Sequence, residues 1–139
     1  MGTKGAGGQR RLAAQVKLGF TIGSKDEDCR KTFSGFWSDF RSVDRFDSAT
    51  DRLVLVTLRG TDALLKTFNS LLDCARASAD GTDFARRVTA VGCLSKKAQR
   101  HAATIKTIIA ESDGEAPSND CLWQFLRVVH VVSFGRPKP

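Results

Sequence analysis

A chain of 139 residues is the length of one ordinary domain, and 41% hydrophobic with 27% charged residues is ordinary globular usage. That composition excludes a wholly disordered chain, which lacks the apolar surface to offset its ordering entropy, and no apolar run approaches the roughly 18 residues of a membrane-spanning helix. A formal net charge of +7 favours an anionic partner over a cationic one.

Residues 1–9 are rich in glycine and carry Lys4, which reads as a flexible basic arm ahead of a single domain over 10–135, with a short tail at 136–139. Between Arg10 and Phe20 the apolar residues Leu12, Ala13, Val16 and Phe20 recur at helical spacing and predict a short helix. Ser24-Lys25-Asp26-Glu27 fits the capping box, in which a hydroxyl and a carboxylate satisfy exposed amides at a helix start. Phe33, Phe36, Trp37, Phe40 and Val43 follow as one stripe. Large side chains at that spacing predict a core face rather than a ligand-stacking surface, because they bury the most area.

The run Arg52–Leu58 is ambiguous. Its β-branched content suits a buried strand, yet Val54, Leu58, Thr61, Leu65, Phe68, Leu72 and Ala75 step by four and three. The seam favours one long helix over about 49–79, bent or broken at Gly60 and ended by Gly81. Thr82 or Asp83 would cap the next helix and Ser95 the one after it. Residues 111–119 read as a polar turn, and 120–134, apolar almost all round, as a last helix buried in the core or against a partner. The expected fold is all-α, a compact bundle of five or six helices. The alternative is α+β, with strands near 52–58 and 128–134 beneath the helices.

Chemistry-bearing patterns are sparse. His101 and His130 have no cysteine or carboxylate three or four residues on, so no metal site is expected. Gly5-Ala6-Gly7-Gly8 lacks the Lys-Ser/Thr that completes a phosphate loop, and no G-x-S-x-G occurs. No enzyme activity, cofactor or small-molecule substrate is expected; Cys74, Cys93 or Cys121 would serve as a nucleophile only with a depressed pKa. The four cysteines, Cys29 included, stand at wide irregular spacings, and the first 25 residues have no apolar core of a secretory signal. Free thiols in a reducing intracellular compartment, cytoplasmic or nuclear, follow.

One pattern stands out. Residues 84–110 hold Arg86, Arg87, Lys96, Lys97, Arg100 and Lys106 with no acid, and Arg10 and Arg11 add to a basic, acid-free stretch over 1–25. These eight side chains are the candidate site for an anionic partner. The expected function is a non-enzymatic helical interaction module, an adaptor or a subunit of a larger assembly with a protein partner. The alternative is a nucleic-acid-binding protein that contacts the phosphate backbone of RNA or DNA through the basic strip and arm, with little sequence preference since no base-reading motif is visible.

Overall fold

The computed structural model describes residues 12–42, 44, 46–47, 49–58 and 62–133, the backbone alone for 62–64. The arm, the tail, Arg10, Arg11, Val43 and Gly60 lie outside the described residues. The elements run β1 (Leu12–Lys17), α1 (Glu27–Arg41), β2 (Arg52–Thr57), α2 (Asp62–Ala77), α3 (Gly81–Thr89), α4 (Lys96–Asp113), α5 (Asn119–Val128) and β3 (Val129–Ser133).

The all-α helical bundle is therefore wrong. The described residues form five helices and a three-stranded sheet in the order β1-β2-β3, with both pairings parallel. Leu53 pairs with Ala13 on one side and Val129 on the other, and Leu55 with Gln15 and Val131. Two helices expected from periodicity, over 10–20 and at the start of 49–79, fail for one reason. Apolar residues spaced by four satisfy period 2 as well as period 3.6, so Leu12 and Val16 share a strand face as readily as a helix face. In the 49–79 run the same spacing hid a strand: β2 is a β-branched central strand bonded on both sides, and α2 begins only at Asp62. The last apolar run splits at Val128/Val129 into a helix and an edge strand, and its dense valines belong largely to the strand.

Helix ends follow local chemistry. Asp26, not Ser24, caps α1: its carboxylate accepts from the Cys29 amide at 2.9 Å and from the Thr21 hydroxyl at 2.8 Å. Asp80 caps α3, accepting from the Asp83 amide at 2.7 Å, where Thr82 or Asp83 was expected. Ser95 caps α4 at 3.1 Å and Ser118 caps α5 at 3.1 Å. Gly114, with φ 87°, ends α4 in the left-handed region that glycine adopts without a Cβ penalty.

The aromatic stripe of α1 is core. Phe33, Phe36 and Trp37 are buried, Phe33 stands edge-on to Phe20, Phe36 and Phe68 at 5.7–6.1 Å, and Trp37 meets Phe125 at 5.2 Å. The Trp37 indole N–H donates to Asp113 at 2.9 Å, tying α1 to the end of α4. Lys17 pairs with Asp28 at 2.7 Å and ties β1 to α1.

Gly81 marks the tightest helix contact. Its amide donates to the Asp120 carboxylate at 3.0 Å, and a Cβ there would lie 2.5 Å from the Asp120 backbone. Gly35 is the opposite case, exposed in mid-α1 with nothing within 4 Å of a Cβ. Gly81→Ala is expected to lower stability by about 1–3 kcal/mol through overpacking, and Gly35→Ala to raise it by about 0.5–1 kcal/mol through helix propensity. Urea midpoints check both; equal effects of the two would show that α3 and α5 do not meet at Gly81.

Candidate interaction surface

The two faces of the sheet differ. Toward the helices point Leu53, Leu55, Thr57, Val129 and Val131, all buried. The opposite face alternates with it, one residue out of step. From β1 it carries Leu12, Ala14 and Val16, with Leu18 just beyond; from β2 Arg52, Val54 and Val56, with Leu58 beyond; from β3 His130 and Val132. Leu12 is 70% exposed, Val16 62%, Leu18 57%, Leu58 40% and Val132 38%. Val54 and Val56 are half-buried, shielded only by their flanking strands. Among the described residues no element lies over this face.

Topology explains the bareness. A crossover between parallel strands is right-handed in nearly all proteins. Both crossovers here advance across the sheet in the same direction, so both place their helices on one side. A sheet whose strand order reverses covers both faces; this one does not reverse. Parallel sheets are ordinarily buried on both sides, and an apolar uncovered face on one is an anomaly that a monomer does not need.

One corner of the face is basic. Arg52, at the start of β2, lines an open pocket of about 300 Å³ with Ala49, Trp123, Gln124, Arg127 and Val128. The Arg127 guanidinium stacks over the Trp123 ring at 4.8 Å, and the Trp123 N–H donates to the Ala75 carbonyl at 2.9 Å. Arg76 reaches the outer edge of β3, donating to the Val129 carbonyl at 3.1 Å while pairing with Asp73 at 3.3 Å. His130 pairs in register with Val54 and stands beside this cluster. Burial, then the charges of Arg76 and Arg52, hold its pKa below the usual histidine value. Asp51 is fully buried and accepts from the Asp47 amide at 2.9 Å, closing the turn that starts β2.

The basic strip is less uniform than its sequence suggests. Arg86 and Arg87 both bind Asp83, at 2.5 and 3.1 Å, one residue outside the acid-free stretch. Asp83 also accepts from the Ala79 amide at 2.9 Å, and that bond followed by Arg87 draws its carboxyl down to about 2. The α3 half of the basic strip is thereby paired with an acid, and α3 packs most extensively on α5 rather than on α4. On α4, Lys96, Lys97, Arg100 and Lys106 are exposed and make no ion pair to a described residue. At about 100° per residue, Arg100 lies about 40° from Lys96 around the helix, Lys97 about 100°, and Lys106 about 80° the other way, so the four spread over half the circumference. Arg10 and Arg11 lie outside the described residues. The sequence reading missed the bare face because its preferred fold made β1, β2 and β3 helix; the α+β alternative, with strands near 52–58 and 128–134, matches β2 and β3 but leaves β1 as helix, and the β-branched content of 52–58 was the signal for it.

Among the described residues no group of three or more His, Cys, Asp or Glu side chains could hold a metal ion, and no helix is long and apolar enough to cross a membrane. No disulfide links the four cysteines. Burial pushes the Cys29 thiol up to about 11 and raises Cys74, the reverse of an activated nucleophile. Compared with protein-family models, curated proteins and solved structures, the chain matches none.

His101 supplies a pH test. It is buried against Phe68 at 5.8 Å with no hydrogen-bond partner for its Nδ1 among the described residues, and burial first, then Lys97 and Arg100, lowers its pKa from 6.5. Below the unfolded value, near 6.5, the unfolded chain takes up the proton that the folded one resists. Stability is thus full above about pH 6.5 and falls as pH drops through the window toward the depressed folded value. His130 adds to the slope in the same direction. In denaturant titrations at pH 7.5 and 5.5, His101→Phe is expected to lose less stability on acidification than the parent; an equal loss would show that His101 titrates freely.

Proposed function

We propose that this protein is a non-enzymatic interaction module, an adaptor or a subunit of a larger assembly, and that its partner docks on the bare face of the parallel sheet. The observation that carries the reading is that face: Leu12, Val16, Leu18, Leu58 and Val132 are exposed together on a sheet type that ordinarily has both sides covered. Packing a partner there removes apolar surface from water at about 25 cal/mol per Å², and the rigid sheet presents it without an ordering cost.

A second reading keeps a narrower basis. Lys96, Lys97 and Arg100 form an exposed cationic patch at the start of α4, and phosphate contacts through it would give salt-dependent binding to RNA or DNA. The pairing of Arg86 and Arg87 with Asp83 leaves the α4 half of the basic strip to that reading.

Two double variants separate the readings. Val16→Asp with Val132→Asp places charge on the bare face, and Lys96→Glu with Arg100→Glu reverses the patch. All four positions are exposed, so each change is expected to move stability by no more than about 1 kcal/mol. In affinity purification with and without nuclease, the face variant is expected to lose the proteins that co-purify with the parent, while the patch variant retains them. Retention by the face variant with loss by the patch variant, sensitive to nuclease, would replace the first reading by the second.

A further inference from the structure

The bare face and its basic corner together specify what kind of surface would cover them. Resting on the docking reading above, we propose that the occupant is an amphipathic, acidic α-helix of about four turns from a partner protein, with its apolar stripe on Val16, Val54, Val56 and Val132 and a carboxylate at the Arg52–Arg127 corner.

Size is the first argument. Three strands about 4.8 Å apart and six residues rising about 3.3 Å each make a face of roughly 14 by 20 Å, on the order of 300 Å². A helix of about 14 residues is about 21 Å long and about 10 Å wide, and so spans that face in one layer. A second copy of this chain fits poorly, because a stable dimer buries about 800 Å² on each partner, more than twice what the face offers. Two copies also bring together chains of +7 each.

Charge is the second. Arg52 stands at a register position of the face, donates to the Asp51 carbonyl at 2.7 Å and lines the pocket that Arg127 also lines, so the apolar surface and the cationic pocket are continuous through one side chain. Arg127 is held by its stack on Trp123 at 4.8 Å, and Arg76 stands on the β3 edge with its guanidinium on the Val129 carbonyl at 3.1 Å. Arginines fixed in this way suit carboxylate recognition, since little side-chain freedom remains to be lost. Helix-on-sheet is also how parallel sheets are normally covered, as the other face of this one shows. The geometry thus favours a helix over an extended strand: Arg76 already occupies a carbonyl on the β3 edge.

The test uses the full chain and two fluorescein-labelled 16-residue helical peptides of identical apolar stripe, one with glutamates and one with lysines on the polar face. Anisotropy titrations at physiological salt are expected to show saturable one-to-one binding of the acidic peptide, at least ten-fold tighter than the basic one. Val16→Asp with Val132→Asp should weaken it at least ten-fold. Arg127→Glu should weaken it several-fold more than Lys96→Glu, which changes the net charge equally but lies on α4; circular dichroism confirms that each variant is folded. Equal weakening by Arg127→Glu and Lys96→Glu would mean diffuse attraction and overturn the proposal. Equal binding of the two peptides, abolished by the face variant, would overturn the acidic helix while sustaining the docking face. Binding of the acidic peptide untouched by the face variant would overturn both. A concentration-dependent dimer in analytical ultracentrifugation, abolished by the face variant, would make a second copy the occupant and overturn the proposal.

Discussion

The strands of this sheet are laid down in the order of the chain, each beside the last and in the same direction. Everything else follows from that one-way advance. Right-handed crossovers then stack every helix on the side of Leu53, Leu55, Val129 and Val131, where they build a core of Phe33, Phe36, Trp37, Phe68, Ile105 and Phe125. The same constraint denies helices to the other side, although β1 and β2 carry apolar residues there as well. The two faces of β2 are nearly matched in composition, valine and arginine against leucine and threonine, yet one is sealed and the other open.

The helical layer is held by contacts specific enough to fix it. Trp37 to Asp113, Trp123 to the Ala75 carbonyl and Gly81 to Asp120 each join elements far apart in sequence, and each satisfies a polar group at the margin of an apolar contact. Arg76 and Arg127 belong to this scaffold as much as to the surface. One anchors on the β3 edge and the other on Trp123 within α5. Side chains held by such contacts have less freedom to lose on binding, which lowers its entropic cost.

The sequence revealed α1 and α4 well: Ser95 caps α4, and the aromatic stripe of α1 faces inward although Asp26 rather than Ser24 caps that helix. The preferred all-α reading lost the strands to the shared harmonic of the two periods, while the α+β alternative placed two of them, near 52–58 and 128–134. Leu12 and Val16 are four apart, which a helix face and a strand face both allow, and Val54 and Leu58 repeat the coincidence. Only the neighbouring strands, tens of residues away in the chain, decide between them, and a local pattern does not contain that information. The same blindness explains the site. The basic strip was visible because charges adjacent in sequence are easy to count, but Asp83 stood just beyond the counted window and binds two of its members. The bare face was invisible because it is assembled from three separate segments.

Among the described residues, one apolar face of the sheet is exposed while the other is sealed. Methyl-resolved nuclear magnetic resonance with a soluble nitroxide measures this directly, since the probe broadens signals from methyl groups that reach solvent. Strong broadening is expected for Leu12, Val16 and Val132, and protection for Leu53, Leu55 and Val131. Protection of both sets alike, in dilute monomeric protein, would show that another part of the chain covers the face and that no docking surface is open.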